Sequence, residues 1–255
     1  MDIAEIFTEI RKRTGVSQQE FAASLNVSIV NPEFKGNTMR TGAETVELYH
    51  GSKSGITGRI RPISRTLCDF GQGFYMGTER SQPLTLICNF KNARLYTVQT
   101  SLEGLHILDV KVGIDWALLI AFHRGKMEGV KGTPIYNKYA EMTNGCDLVI
   151  GYIANDRMFM VLDRFFSGEI TDTALIQSLS TLKLGKQYVA LTDKACAQIK
   201  ITHEEVLCDE DRTLLRRQSE QLRTEGIEKA DEICRKYRRE GRFFDEIIIE
   251  DASRK

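Results

Sequence analysis

Runs of apolar and β-branched residues recur through the middle of the chain and predict a body rich in short strands. Between these runs lie three segments with apolar residues at helical spacing, at 80–91, 115–127 and 172–182. Strands interleaved with helices in this way indicate an α+β fold. The predicted strands are Val46–His50, Arg94–Thr100, Ile107–Lys111, Leu148–Ile153, Met158–Leu162 and Tyr188–Thr192.

The first 30 residues follow a different pattern, which predicts two short helices. The first helix ends at Thr14-Gly15. The second begins at Ser17–Glu20, a capping box in which the serine oxygen and the glutamate side chain each satisfy a free backbone amide. The apolar faces of the two helices consist of Ile3, Ile6, Phe7 and Ile10, and of Phe21, Ala22 and Leu25.

The run from Ile10 to Ala22 resembles the first two helices of phage-repressor-type helix-turn-helix domains. The recognition helix expected to follow is interrupted by Pro32 and then by Gly36, which stop or redirect a helix. We therefore predict that residues 1–30 form a truncated helix-turn-helix, either a small helical cap or a vestigial remnant of a repressor. Residues 31–45 are predicted to be a linker into the main domain, residues 46–200.

A charged tail, residues 203–255, follows the main domain. Its density of charged residues rises from His203 to Arg239, and its leucines are spaced as in amphipathic helices. Phe243–Ile249 is a short apolar run that predicts either an edge strand or a surface that docks on a partner. The apolar positions of the helical part are Leu207, Leu214, Leu215, Leu222 and Ile227.

Composition narrows the range of functions. In a chain of 255 residues, 35 basic residues balance 35 acidic ones, so no net field draws the whole protein to nucleic acid or to an anionic membrane. No segment approaches the roughly 18 continuous apolar residues of a membrane-spanning helix, and we expect a cytosolic protein with no membrane partner. The six cysteines are spaced singly, which predicts reduced thiols and no structural metal.

Two segments carry the candidate chemistry. Leu48–Ser52 reads Leu-Tyr-His-Gly-Ser, and Asp69–Tyr75 reads Asp-Phe-Gly-Gln-Gly-Phe-Tyr. Gly71 and Gly73 in the second segment allow the backbone to approach a ligand closely. The Asp-Phe-Gly triplet also occurs in the metal-binding loop of protein kinases. The chain lacks a glycine-rich phosphate loop, a catalytic His-Arg-Asp and a partner lysine in the required order, so the kinase interpretation is rejected.

Together the two segments resemble the first two signature elements of ADP-ribosyltransferases of the His-Tyr-Glu branch. More closely, they resemble a little-characterised bacterial domain family of that superfamily. Asp147–Asp156 is similar to that family's strand and Ala-Asn-Asp turn, and Lys186–Ala195 is similar to its last signature. The four blocks occur in the family's order, and the resemblance implies an ADP-ribosyltransferase-like split β-sheet and NAD as the substrate.

The resemblance implies a role for each matching residue. His50 is expected to bond the adenosine-side ribose, because an imidazole both donates and accepts. The backbone of Gly51 is expected to hold the nicotinamide amide, and Tyr75 to stack on the nicotinamide ring. The remaining residues expected to bind NAD are Ser52, Arg65, Gly71, Gly73, Phe74 and Asn155.

The catalytic carboxylate departs from the pattern. Cleavage of the nicotinamide–ribose bond develops oxocarbenium character, so the site needs a negative or strongly accepting group near the ribose. The resemblance implies a glutamate there, whereas this chain has Gln187, which cannot ionise or act as a general base. Asp156 is predicted to supply the missing carboxylate from a loop, and the alternative is a turn that bonds its own backbone. Glu141 and Asp147 are weaker candidates.

Several of these residues also have purely structural interpretations. His50 is a strand-end histidine that could bond its own fold, Tyr75 a ring that could pack in the core, and Gln187 a glutamine that could be solvated. Arg61 and Arg65 are predicted to neutralise the NAD diphosphate, with solvated loop arginines as the alternative. No site is assigned to the histidines without companions at metal-ligand spacing, which are His106, His123 and His203.

These features predict an NAD-dependent mono-ADP-ribosyltransferase that modifies a protein or nucleic-acid acceptor inside the cell, as a toxin–antitoxin or phage-defence component. An antitoxin protein is a further predicted partner, with residues 203–250 as its docking surface. Two alternatives stay open. The first is an NAD-binding pseudoenzyme or an NAD glycohydrolase, which Gln187 motivates. The second is a DNA-binding regulator that reads an operator through the N-terminal helices.

Overall fold

The computed structural model of the protein describes residues 44–153, 156–180 and 185–253. Within these ranges seven strands form one mixed sheet, accompanied by helices, so the predicted α+β class is confirmed. The strands are β1 Thr45–Ser52, β2 Phe74–Gly77, β3 Arg94–Ser101, β4 Ile107–Asp109, β5 Leu148–Tyr152, β6 Lys186–Ala190 and β7 Ile199–Val206. The α-helices are α1 Ser81–Ile87, α2 Ile114–His123, α3 Pro134–Glu141, α4 Asp156–Phe166, α5 Asp172–Ser180, α6 Asp193–Ala197, α7 Asp209–Tyr237 and α8 Phe244–Ser253.

The strand order brings distant parts of the chain together at the centre of the sheet. The order is β4-β5-β6-β2-β1-β3-β7, in which β4 and β5 run parallel and the other neighbours run antiparallel. β1 and β3 pair along eight positions, from Thr45 opposite Ser101 to Ser52 opposite Arg94. β2 lies between β1 and β6, and this places the two signature segments beside the last signature of the main domain.

The alternation of side chains along each strand separates two core layers. Val149 and Val189 project to one face, where they pack in a large cluster with helical residues such as Trp116. Phe74 and Met76 project to the other face, in a second cluster with residues of β3 and α6. Both clusters are buried, so each face of the sheet gains stability from the removal of apolar surface from water.

The C-terminal helices belong to the first of these layers. Ala230 and Cys234 of α7 are buried in the same cluster as the residues of β5 and β6. The predicted edge strand at 243–249 is wrong, because this segment lies in helix α8. Phe244, Ile247 and Ile248 follow helical spacing and are all buried, so the apolar run packs against the chain's own core.

Two further predictions of secondary structure are wrong. The predicted strand Met158–Leu162 lies inside helix α4, where Val161, Leu162 and Phe165 are buried at the spacing of one helix face. The helical tail was expected from residue 203, but residues up to Val206 belong to the edge strand β7. Most of β7 is exposed on both faces, so the strand carries no alternating pattern for sequence to reveal.

Two remaining predictions concern the N-terminus and the membrane. The predicted truncated helix-turn-helix at 1–30 lies outside the described residues, as does all but the end of the predicted linker. Among the helices in the described ranges, none combines the length and the apolar character that crossing a membrane requires.

Candidate functional site

The backbone ladder between β1 and β2 is short. Tyr49 opposite Gly77 is the single register pair of these two strands, whereas β1 and β3 pair along their full length. Continued antiparallel pairing would occupy the next three positions of both strands, but none of these positions is paired. Backbone groups on the facing edges therefore lack ladder partners there. We call this unpaired region, between His50–Ser52 of β1 and Phe74–Met76 of β2, the cleft.

His50 bridges the cleft from β1 to β2. Its Nδ1 lies 2.7 Å from the carbonyl oxygen of Tyr75, and its ring stacks on Phe74 with 4.1 Å between centroids. Burial lowers the pKa of His50, so the imidazole is neutral near pH 7. Because a carbonyl only accepts, Nδ1 carries the proton and Nε2 is left as an acceptor. The structure thus gives His50 a bond to its own fold and leaves it one accepting atom for a ligand.

Tyr75 is held in one orientation by its hydroxyl group. This group donates to the carbonyl oxygen of Gly71 at 2.7 Å and accepts from the backbone N–H of Phe70 at 3.1 Å. Burial raises the pKa of Tyr75 well above its usual range, so the phenol stays protonated and keeps both bonds. The ring is half-buried against the first core layer. A ring fixed in this way is suited to stacking, because its orientation is settled before a ligand arrives.

The glycines of the signature segments are required by the fold itself. Gly71 has a φ of +77°, a conformation that favours glycine. A Cβ on Gly73 would lie 2.9 Å from the carbonyl oxygen of Ala190, and a Cβ on Gly51 would lie 2.9 Å from Cγ2 of Ile87 in α1. The absence of side chains is therefore explained by the packing of β2 against β6 and of α1 against β1. A role for these glycines toward NAD stays a prediction.

The structure places Gln187 on the same face of the sheet as Tyr75. Gln187, on β6, lies directly opposite Gly77 of β2 and Gly151 of β5. Tyr75 is two residues before Gly77, and alternate residues of a strand share a face. Only 5% of Gln187 is exposed, so the alternative of a solvated glutamine is wrong.

Hydrogen bonds fix the side-chain amide of Gln187. Nε2 donates to Oδ2 of Asp69 at 3.1 Å and to the carbonyl oxygen of Tyr152 at 3.0 Å. Both partners only accept, which assigns the amide with Nε2 toward them and Oε1 away from them. Oε1 has no hydrogen-bond partner among the described residues, and it is not one of the unpartnered atoms sealed from solvent. The free acceptor of Gln187 thus remains open to a ligand.

Asp69 and Arg124 form a buried ion pair that the sequence reasoning missed. Nε and Nη2 of Arg124 both donate to Oδ1 of Asp69, at 3.2 Å and 2.5 Å. Each residue is 9% exposed. The polar chain from Arg124 through Asp69 to Gln187 joins the end of α2, the loop before β2, and β6. The sequence did carry a signal for this pair. Arg124 directly follows an apolar helix, and a cation buried at that helix end needs a partner of opposite charge.

His123 packs beneath the same loop. A Cβ on Gly71 would lie 3.1 Å from its Nδ1. Burial lowers the pKa of His123 to about 4, although the Asp69 carboxylate acts to raise it. Its Nε2 is buried without a hydrogen-bond partner in the described part of the chain. The neutral ring therefore supports the Asp69 loop by packing, and protonation of that ring is strongly disfavoured.

The structure gives Asp147 a structural role. Its carboxylate accepts from Thr192 Oγ1 and Lys194 Nζ, each at 2.9 Å, and from the backbone N–H of His106 at 3.0 Å. Burial acts to raise the pKa of Asp147, but these hydrogen bonds outweigh burial and lower it. Both oxygens are engaged at the end of β5 away from Gln187, so Asp147 is removed from the catalytic candidates.

The other candidate carboxylates lie on helices. Asp156 is the first residue of α4, so its predicted loop position is wrong. Glu141 is exposed at the end of α3. Asn155 lies outside the described residues.

The loop between β1 and β2 carries the predicted arginines. Ser52 Oγ donates to the carbonyl oxygen of Gly55 at 3.0 Å and closes the first turn of this loop. Arg61 and Arg65 are both exposed. Beside Arg65, the hydroxyl of Ser64 accepts from the backbone N–H of Gly73 at 3.2 Å. This bond ties the segment that carries Arg65 to the glycine run before β2.

A family profile covers most of the sheet and the cleft. The profile, described as "Protein of unknown function (DUF3990)", matches residues 46–201, which is more than half of the 255-residue chain. The matched region contains the cleft residues and the buried polar chain beneath them. Comparison with curated proteins found no match, and comparison with solved structures found none either.

Proposed function

For this chain, which belongs to the DUF3990 family, we propose that the cleft binds NAD and that the protein is a mono-ADP-ribosyltransferase. One observation carries the proposal, namely that three residues expected to contact NAD lie on β1, β2 and β6, which are neighbours in the sheet. His50 bonds the carbonyl of Tyr75 on β2, and Tyr75 shares a sheet face with Gln187. A ligand seated where the ladder between β1 and β2 ends would meet side chains from both faces of the sheet.

Each part of NAD has a counterpart in the proposed complex. The nicotinamide ring stacks on Tyr75, a pairing worth about 1 kcal/mol beyond burial. The open edge of β1 at Gly51 bonds the carboxamide with backbone groups, as it would bond an added strand. Nε2 of His50 accepts a hydrogen bond from a hydroxyl of the adenosine-side ribose. Arg65 binds the diphosphate through its guanidinium fork.

The proposed reaction breaks the bond between ribose C1′ and the nicotinamide nitrogen. Nicotinamide leaves with the bonding electrons, and positive charge grows on the ribose. Oε1 of Gln187 accepts a hydrogen bond from a ribose hydroxyl and orients the ribose for this step. A nucleophile on the acceptor then bonds to C1′ and loses its proton. Gln187 cannot take that proton, so we assign it to Asp156 or to a group on the acceptor.

The macromolecule that receives ADP-ribose and the antitoxin partner are proposed from the sequence-based predictions. We propose that the protein modifies an intracellular protein or nucleic acid as part of a toxin–antitoxin or phage-defence system, and that an antitoxin docks on residues 203–250. Expression of the protein should then arrest growth, and co-expression of a small neighbouring gene should relieve the arrest. Arrest that persists with every neighbouring gene would contradict the antitoxin partner.

A labelling experiment tests the central proposal. Purified protein is mixed with NAD labelled in its adenylate phosphate and with cell lysate, and free nicotinamide is measured in parallel. We expect a labelled protein or nucleic acid, nicotinamide release in proportion, and loss of both in Tyr75→Ala. A matched control is Tyr136→Phe, because Tyr136 lies on α3 away from the cleft. No label and no nicotinamide release from the unmodified protein would refute the proposal.

A second candidate function rests on Gln187. A glutamine occupies the place of the expected glutamate, and both of its amide hydrogens have acceptors within the protein. This favours NAD binding with slow transfer, with transfer to water, or with none. Nicotinamide release without a labelled acceptor would identify an NAD glycohydrolase. Binding of NAD in calorimetry without release would identify a pseudoenzyme.

The DNA-binding regulator is a third function, and it depends on residues 1–30. Gel-shift measurements with DNA from upstream of the gene, at low salt, test it, because phosphate contacts are strongest there. The absence of a shift would dispose of this function without affecting the proposal for the cleft.

A further inference from the structure

The amide of Gln187 is held by a carboxylate that no part of the proposed reaction uses. Asp69 Oδ2 lies 3.1 Å from Nε2 of Gln187, and Asp69 Oδ1 is bound by Arg124. Taken as whole residues, all three are at least nine-tenths buried. The three groups form a continuous chain of charged and polar hydrogen bonds, in which each bond polarises the next.

Asp69 is poorly placed to act as the catalytic carboxylate itself. One oxygen accepts two hydrogen bonds from Arg124, and the other accepts from Gln187. The guanidinium offsets the negative charge at short range, and burial keeps the carboxylate from a substrate. The carboxylate instead acts on the atom that it holds. It draws Nε2 inward, and this leaves Oε1 as the atom available to a ligand.

We propose that Asp69 is a positioning residue that orients Gln187, and that this contact is the reason why glutamine occupies the place of the expected glutamate. The role of the oriented Oε1, which accepts a hydrogen bond from a ribose hydroxyl of NAD, rests on the proposed function. The contact itself does not, because it is a property of the folded chain without ligand.

The chemistry of the alternative residue explains the choice. A glutamate at 187 would set a second carboxylate oxygen about 3 Å from Oδ2 of Asp69 and from the carbonyl of Tyr152. Two carboxylates at that distance cannot both ionise, so the pKa of the new acid would rise above its ordinary value. Its protonated form would donate inward and keep one oxygen free, and would thereby reproduce the arrangement of Gln187.

Thermal unfolding in the absence of NAD tests the contact. The variants are Gln187→Glu, the exchange Asp69→Asn with Gln187→Glu, and the control Asp147→Asn, which alters a similarly buried carboxylate away from the cleft. A raised pKa in the folded state means that stability is retained at low pH and lost as pH rises through that pKa. We expect Gln187→Glu to melt near the wild-type temperature at pH 5 and well below it at pH 7.5.

The remaining variants distinguish the effect of this contact from a non-specific loss of stability. The exchange introduces a donor at 69 and leaves a single carboxylate, so it should recover part of the loss at pH 7.5. Any decrease in the melting temperature of the control Asp147→Asn should be similar at pH 5 and at pH 7.5, because this variant creates no second carboxylate. The contact does not have the proposed role if Gln187→Glu melts at the wild-type temperature at both pH values. The same conclusion follows if the exchange does not raise the melting temperature at pH 7.5 above that of Gln187→Glu.

Calorimetry with NAD then tests the function of the positioned atom. The affinity of Gln187→Glu should be about tenfold weaker than that of the wild type at pH 7.5 and should recover toward pH 5. Equal affinity at both pH values would overturn the role toward the ribose. If the wild type itself does not bind NAD, the proposed function and that role fail together, and the contact is judged by the unfolding data alone.

Discussion

Nδ1 of His50 lies 2.7 Å from the carbonyl oxygen of Tyr75, at the point where the backbone ladder between β1 and β2 stops. The imidazole of His50 thus connects β1 to β2 at a position where no backbone pair does. The same imidazole keeps one acceptor unused. This relationship ties the integrity of the cleft to the residue that we expect to touch the adenosine-side ribose.

Replacement of His50 should therefore affect both stability and NAD binding. His50→Ala removes the bond to Tyr75 and the acceptor for the ribose, and we expect the Kd for NAD to rise about tenfold or more in calorimetry. His106→Ala is the matched control, because Nδ1 of His106 also lies near a carbonyl oxygen, that of Gly145, at an exposed position away from the cleft. Equal Kd values for His50→Ala and the wild type would remove His50 from the proposed complex.

The hydroxyl and the ring of Tyr75 should have separable effects. Tyr75→Phe leaves the backbone N–H of Phe70 without its partner and the carbonyl of Gly71 with only the longer bond from Ser64 Oγ. We expect a loss of about 1–3 kcal/mol in the free energy of unfolding, measured with urea. Because Tyr75→Phe keeps the stacking ring, it should retain more NAD affinity than Tyr75→Ala. Tyr136→Phe, which loses one long surface hydrogen bond, should change neither quantity. A Tyr75→Ala variant that binds NAD as well as Tyr75→Phe would contradict stacking.

The buried pair of Arg124 and Asp69 should contribute strongly to folding. Arg124→Met leaves a buried carboxylate without its cation, so we expect a loss of about 3–5 kcal/mol in urea unfolding. Arg59→Ala, which breaks an exposed pair with Asp193, should cost less than about 1 kcal/mol. Comparable small losses in both variants would show that the Asp69 loop is stable without the pair.

Mild acid should destabilise the protein through His123, which takes up a proton in the unfolded chain but stays neutral in the folded one. The pKa of His123 is about 4 in the folded chain and near 6.5 when unfolded. The contribution of the neutral ring to the free energy of unfolding is therefore complete above pH 6.5 and is lost as pH falls toward 4. His123→Gln cannot be protonated and should show a smaller decrease in unfolding free energy between pH 7 and 5 than the wild type. The control His203→Gln alters an exposed histidine on β7 and should follow the wild type. Parallel pH curves for His123→Gln and the wild type would contradict the burial of the neutral ring.

Sequence patterns predicted those elements whose burial follows a simple period. β1, β3 and β5 were predicted within one or two residues of their ends, because their apolar residues are spaced as a half-buried or buried strand requires. β2 was missed because it has only four residues and follows a glycine-rich turn. α4 was taken for a strand because a short apolar run fits both periods, and only the burial of Val161, Leu162 and Phe165 on one side distinguishes them.

The candidate site shows the same division. By itself, the sequence determined which chemical groups occupy the candidate positions, an imidazole at 50, a phenol at 75 and an amide at 187. The tertiary structure alone decided what these groups touch. Asp69 meets Gln187 across 118 positions and Arg124 across 55. Such contacts depend on strand order, on the register of β2 against β6 and on where α2 ends, and local periodicity encodes none of these.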